Sequence, residues 1–430
     1  MITLEDFNVR RESFRLSNGL NVVLFNRPNM PIHMMVTFMA GSRFDPIGKE
    51  GLAHFFEHMI LSGTKRFPSK DLLAGFIEDL GGSIGASTGG DTLRIQISLG
   101  ESTDLESGIE LLSETLLNSL FDVNTMEKER TAILRELEAK KAHPTGMLSE
   151  ISRPLVFQKT EVGRSTLGSA ETIKSITKAD LLGYYDKVVK SSLGVVTIAG
   201  DVDKQVLKDF LEKHLLLQKG ETPAFDRDLP KYRDKIADFV FFDNDSLEVL
   251  LSFRTPSIMH EDDGALSILS GILTGGRTGV LKRRLRYERG LVYSVNSSNS
   301  SSVDNGSFHI NAPLAKDKLQ EALDIVCSEL TRMAKDGPTN EELQLTKNRR
   351  IKSIKIHMQT SDDWAGMHNY RDLFFPEIGW TIEDYLTSTE GVTAEDVRNV
   401  AKKYFTQDNW YLAMTGSVDE DFVKGIRIDL

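Results

Sequence analysis

His54 and His58 stand four residues apart in Gly51-Leu-Ala-His-Phe-Phe-Glu-His-Met59, with Glu57 between them. On a helix, residues four apart project from one face one turn apart, so these two imidazoles can grip a single metal ion. Zinc at a hydrolytic site takes three protein ligands and keeps one position for water. The ion acidifies that water and polarises a carbonyl, and a neighbouring carboxylate moves the proton. Glu57, three residues after His54, has the position for that carboxylate. H-x-x-E-H is the inverted form of the helical zinc signature. It supplies two ligands and a base, so a third ligand must come from elsewhere.

The elements that position this cluster follow from periodicity and breakers. Leu16-Ser-Asn-Gly-Leu20 reads as a hairpin turn, and Ile32 to Met39 as a strand. The motif then lies on a helix from about Gly51 to Leu61, stopped near Ser62-Gly63. A helix from Ser69 to Leu80, a strand pair including Leu93 to Leu99, and helices over Asp104–Ser119 and Asn124–Ala142 follow, the last ended by Pro144. That last helix carries Glu127, Glu129, Glu136 and Glu138. At about 100° per residue, Met126, Ile133 and Leu137 make its buried stripe, and Glu129 and Glu136 share one border of it. They are the natural pair to face a metal, one as ligand and one supporting a ligand.

The order of elements then starts again. Thr177-Lys-Ala-Asp-Leu181 resembles Thr393-Ala-Glu-Asp-Val397, and Val195-Val-Thr-Ile-Ala-Gly-Asp-Val-Asp203 resembles Tyr411-Leu-Ala-Met-Thr-Gly-Ser-Val-Asp419, both offset by 216 residues. His33-Met-Met-Val-Thr-Phe38 resembles Glu248-Val-Leu-Leu-Ser-Phe253 at an offset of 215. A near-constant offset marks two copies of one α+β unit. We expect a zinc-binding domain over 1–217, a polar linker over 218–235 and a second repeat over 236–430. The second copy lacks the ligands: Ser270, Leu273 and Thr274 stand at the positions of His54, Glu57 and His58, and Gln344 and Ile351 near those of Glu129 and Glu136.

Composition narrows the function classes. The chain has 430 residues, 40% of them hydrophobic and 27% charged, with a net charge of −11. That balance argues against a nucleic-acid or anionic-membrane surface. No apolar run approaches a membrane span, and the first residues have neither the basic nor the apolar region of a signal peptide. The single cysteine, Cys327, lies in an apolar helical pattern and reads as a small buried hydrophobe. Gly82–Thr88 and Gly275–Gly279 are glycine-rich but lack the Lys and Ser/Thr of a phosphate loop.

Three stretches together resemble the inverted-motif zinc peptidases of the pitrilysin and insulinase type: Gly51–Met59, Glu129-Arg-Thr-Ala-Ile-Leu-Arg-Glu136 and Leu285-Arg-Tyr-Glu-Arg-Gly-Leu-Val-Tyr-Ser294. The likeness is greatest to single-chain, two-domain members similar to the β subunit of mitochondrial processing peptidase. It implies two homologous α/β-sandwich-like repeats, each a mostly antiparallel sheet packed with helices, in a clam-like dimer. It implies one Zn2+ per chain, held by His54, His58 and Glu136, with Glu57 as general base and Glu129 orienting a ligand histidine. It assigns Arg286 and Tyr293 to gripping substrate and stabilising the oxyanion. From pattern alone these two are one charge of a basic helix and a strand aromatic. Substrate is expected to lie extended along Ile84, Gly85, Ala86, Ser87 and Thr88. Gly85 departs from the family, where asparagine is common, so backbone pairing is the expected contact there.

The resemblance therefore implies a zinc-dependent endopeptidase for short or unfolded, presequence-like peptides enclosed in a chamber. The alternative is a non-catalytic scaffold subunit of the same fold. We expect a homodimer, or a heterodimer with a paralogue, in which zinc from one chain meets Arg286 and Tyr293 of the other. No nucleic-acid or membrane partner is expected. The cytoplasm is the expected compartment, with the mitochondrial matrix as the alternative for a mature form.

Overall fold

Six strands form the first sheet: β1 (Arg10–Arg15), β2 (Asn21–Asn26), β3 (Ile32–Phe38), β4 (Ser83–Thr88), β5 (Leu93–Leu99) and β6 (Gly194–Gly200), in the order β1-β2-β6-β3-β5-β4. Five form the second: β7 (Ala237–Phe241), β8 (Ser246–Thr255), β9 (Asn296–Ser301), β10 (Gly306–Ala315) and β11 (Trp410–Gly416), in the order β7-β11-β8-β10-β9. The second order repeats the first from β2 onward. In both, one parallel pair (β2 with β6, β7 with β11) adjoins three antiparallel pairings. This computed structural model describes residues 2–223, 225 and 231–430, so residues 224 and 226–230 of the expected linker lie outside the described residues. The fold is α+β, with two sheets and many helices.

The sequence repeat is clearest where it caps helices. Thr177 and Thr393 each open a helix with a reciprocal capping box, closed by Asp180 and Asp396. Asp203 and Asp419 cap the helices that follow β6 and β11. Such caps depend on residue type at a fixed spacing, whereas core positions accept many apolar residues.

β3 and β6 are buried at every residue, because helices cover both sheet faces. Packing divides the chain into two units: Met1–Leu137 with Arg164–Ala224 and Ile354–Tyr385, and Glu138–Gly163 with Phe225–Ser353 and Leu386–Leu430. The repeats thus exchange segments. Helix Pro144–Val156 packs on β7, β8 and β11, while helices Ser361–Met367 and Asn369–Phe374 pack on β3 and β6. Pro144 does end the preceding helix, Val123–Lys141, but it also starts the next one from its first turn, where a missing N–H costs nothing. In the first unit Trp364 is fully buried against Phe7 and Phe25, and Asn369 donates to Thr197 at 3.0 Å. No helix among the described residues is long and apolar enough to cross a membrane.

His368, between the two exchanged helices, is expected to make the first unit sensitive to acid. Burial, with Arg371 and Arg11 nearby and Asp384 opposing them, pushes its imidazole down to about 4. A depressed histidine leaves stability intact above about pH 6.5, and stability is lost as pH falls through about 4. The loss approaches about 3 kcal/mol. Equilibrium unfolding between pH 7 and 4 checks this, and His368→Gln is expected to flatten the acid limb.

Candidate metal centre

The motif helix, Leu52–Ile60, starts on Gly51 in a left-handed conformation (φ 93°) without a side-chain cap of its own. A Cβ at Gly51 would come within 2.6 Å of Ile173 and 2.7 Å of the Leu167 carbonyl. The cap comes instead from the preceding loop. Asp45 accepts from the Gly51 N–H at 2.8 Å and the Ala53 N–H at 2.9 Å. Burial pushes the Asp45 carboxyl up to about 7, against the pull of the Gly51, Leu52 and Ala53 N–H groups and of Arg164. Sequence pattern gives no sign of Asp45, because its partners are set by a loop fold. Phe55, Phe56, Met59 and Ile60 are fully buried, which fixes the helix's rotation and hence where its histidines point. Asp45→Ala leaves helix N–H groups without this acceptor and is expected to cost about 1–3 kcal/mol. It is also expected to weaken metal retention, read by thermal unfolding and competition with a chelator.

The ligand candidates converge. Glu136 Oε2 lies 3.6 Å from His54 Nε2 and 3.7 Å from His58 Nε2. Ligand atoms at about 2.0–2.1 Å from a tetrahedral zinc stand about 3.3–3.4 Å apart, so this donor set fits one such ion. His58 Nδ1 is 2.8 Å from Glu129 Oε2, an arrangement that holds the ring and directs Nε2 toward the ion. The helix bearing both glutamates is tied down by Arg130. Its guanidinium donates to the Ile173 and Ile176 carbonyls and lies 5.1 Å from the centre of the Phe55 ring. Glu127 pairs with Arg130 at 3.1 Å, and Glu138 lies 3.8 Å from Lys141. The Glu136 side chain is half exposed, which leaves the cluster open on one side.

Glu57 is partly buried, and that burial raises its carboxyl above the ordinary range. Thr88 and His58 nearby pull the other way, while Glu136 raises it further. Thr88 ends β4 and its hydroxyl donates to the Ala53 carbonyl at 3.4 Å, so the edge of the sheet is tied to the motif helix beside the carboxylate. β4 carries Ile84, Gly85, Ala86, Ser87 and Thr88, pairs with β5 on one side, and has no strand on the other among the described residues. A Cβ at Gly85 would meet only the Gln96 side chain, at 3.8 Å, so packing does not demand glycine there.

Arg286 and Tyr293 belong to the second unit and lie together, the guanidinium 5.1 Å from the centre of the tyrosine ring. Arg286 sits on a π-helical segment, Lys282–Glu288, a wide turn of the kind found at functional sites. Tyr293 is not in a strand. Gly290 (φ 59°) ends the segment, Leu291 and Val292 anchor in the core, and Tyr293 follows in a bend, 80% exposed. Also in this unit, Ser270 and Thr274 hold the edge strand where the first unit has its histidines. Ser270 donates to the Ser297 carbonyl at 2.8 Å, and the Ser297 N–H donates to Thr274 at 2.9 Å.

Comparison with known proteins gives matches over most of the chain. The family described as Insulinase (Peptidase family M16) matches residues 22–170, and the Peptidase M16 inactive domain matches residues 175–350. An uncharacterized zinc protease of Rickettsia felis is 28% identical over 94% of this chain and 96% of its own length. One of Mycobacterium leprae is 27% identical over 90% and 87%. A protease from Helicobacter pylori has the same fold, with a TM-score of 0.85 at 23% identity, covering 95% of this chain and 99% of that one. So does a chain in Complex III2 from Candida albicans, with a TM-score of 0.81 at 15% identity over 95% and 96%. The matches support the M16 family, insulinase-like and of two-domain type, for this chain.

Proposed function

We propose that the chain is a zinc-dependent endopeptidase acting on short or unfolded, presequence-like peptides. The observation that carries this is the convergence of His54 Nε2, His58 Nε2 and Glu136 Oε2, with Glu129 on the far nitrogen of His58. These three residues would hold one zinc ion per chain. When bound, the ion supplies the Lewis acidity that makes water a nucleophile at neutral pH and polarises the scissile carbonyl. Glu57 takes the proton of the attacking water as its oxygen bonds to the carbonyl carbon, then delivers that proton to the departing amine as the C–N bond breaks. The open side of β4 holds the peptide extended by backbone pairing, next to Glu57 through Thr88. Arg286 and Tyr293 donate hydrogen bonds to the developing oxyanion.

In this reading two chains form a homodimer, and each zinc centre is completed by Arg286 and Tyr293 of the other chain. The cytoplasm is the compartment proposed. The non-catalytic scaffold is the weaker reading, because it gives no reason for three ligands, a base and the orienting Glu129 to be present together. The test is metal content measured alongside cleavage of a mixed peptide library. About one zinc per chain and cleavage abolished by a chelator are expected. A chain without stoichiometric metal, or with chelator-insensitive cleavage, would overturn the proposal.

A further inference from the structure

In the second unit, helices Asp262–Thr274 and Asn340–His357 stand where the repeat places the motif helix and the acidic helix. Between them lies a cavity of about 460 Å³. Arg277, Arg283 and Arg349 line it, over apolar side chains that include Ile272, Val280 and the 42% exposed Leu345. Arg349 donates to Thr278 at 2.9 Å and packs over Gly276 (φ 57°), where a Cβ would come within 2.8 Å of the guanidinium carbon. Glycine there lets the charge sit against the loop.

The charges are not balanced from within. Arg277 and Arg349 have no carboxylate partner among the described residues, and Arg283 has only a 3.5 Å contact with Glu288. Glu341 and Glu342 also line the cavity, but Glu342 is held by Arg332 at 2.9 Å and by the N–H of Thr339, which leaves Glu341 alone against the three arginines. A chain of ring contacts links the cavity's Arg277 to Arg286 and Tyr293. Arg277 lies 5.3 Å from the centre of the Tyr287 ring, Arg286 lies 5.4 Å from the same ring, and Arg286 then reaches Tyr293. Guanidinium groups and rings thus alternate along one surface from the cavity to that pair.

We propose that this cavity binds a carboxylate of the peptide substrate, several residues from the bond that is cut. The proposal rests on the peptidase reading above. Planar guanidinium groups match a carboxylate bidentately, the apolar floor accommodates an aliphatic stem, and the volume suits one or two residues. Both the C-terminal carboxylate and an Asp or Glu side chain offer this chemistry. The site would make the enzyme prefer peptides with a free C-terminus or an acidic residue at a set distance from the scissile bond.

The experiment measures peptide binding by fluorescence anisotropy to the zinc-loaded, full-length Glu57→Gln chain, so that no turnover is needed. Two peptide pairs are compared, one differing as C-terminal acid against amide and one as internal Glu against Gln. One acid form is expected to bind about ten-fold tighter than its neutral partner, and the pair that responds identifies the source of the carboxylate. Arg277→Ala, at an exposed side chain, and Arg349→Met are expected to remove most of that preference while neutral peptides bind as before. Equal binding within both pairs, or a preference untouched by both substitutions, would overturn the proposal. Displacement of the acidic peptide by inorganic phosphate at much lower concentration than by acetate would also overturn it, by marking a phosphate site. An acid preference in a chain whose wild type cleaves nothing would count against the peptidase reading alone, and cleavage without the preference would count against this site alone.

Discussion

Replacing Glu57 with glutamine is expected to reduce peptide cleavage by about 10²–10⁴-fold while leaving the zinc content unchanged. The separation of these two effects follows from the geometry. The proposed metal-binding atoms are those of His54, His58 and Glu136, and the rigid part of their support comes from Glu129, Asp45 and Arg130. None of these depends on the Glu57 carboxylate. Glutamine is nearly isosteric, and the end of β4 is held to the motif helix through the Ala53 carbonyl rather than through this side chain, so it stays in place. What is lost is a group that can take and return a proton. Glu136→Gln is the contrasting substitution: it removes a charged donor from the convergent set, so metal and activity are expected to fall together. Glu129→Gln lies between them, with an expected loss of about 10–100-fold in metal affinity. The checks are metal analysis on dialysed protein and initial rates on one peptide for all three variants. Loss of zinc from the Glu57→Gln chain would place that carboxylate among the ligands and overturn its role as base.

The parts of the centre visible in the sequence are those with a local period. His54 and His58 are one helical turn apart, and angular placement on the next long helix separates Glu129 and Glu136 from Glu127 and Glu138. The two sheets are likewise foreshadowed by the near-constant offset between repeats, since the strand orders match from β2 onward. The exchange of Pro144–Val156 and Ser361–Phe374 between the packing units has no such signature. Both segments have ordinary amphipathic patterns, and an apolar stripe does not say which sheet it will cover. Asp45 is hidden for the same reason, since its partners are six and eight residues away across a loop. The apolar neighbours of Tyr293 suggest a strand, whereas Gly290 and the burial of Leu291 and Val292 turn the chain outward before β9 begins.

If zinc from one chain works with Arg286 and Tyr293 of another, two dead variants should restore each other. Arg286→Ala removes the proposed oxyanion donor and is expected to lower kcat by about 10²–10³-fold. Its guanidinium lies over the exposed Tyr293 and Tyr287 rings and has no carboxylate partner among the described residues, so the fold should tolerate the change. Glu57→Gln is expected to be inactive through the other half of the site. In a mixed dimer, one site pairs both lesions and the other pairs the intact Glu57 of the first chain with the intact Arg286 of the second. After full exchange at equal amounts, half of the dimers are mixed and each has one working site, so activity should recover to about one quarter of wild type. Sites completed within a single chain recover nothing, since every chain in the mixture carries one lesion. Rates followed after mixing, with chain exchange monitored separately by labelled subunits, distinguish the two arrangements. No recovery despite demonstrated exchange would assign Arg286 to its own chain's zinc centre, or to none. Recovery near one quarter would instead make the dimer the smallest active unit, so activity at low concentration would fall with dissociation, as dilution below the dimer's Kd should show.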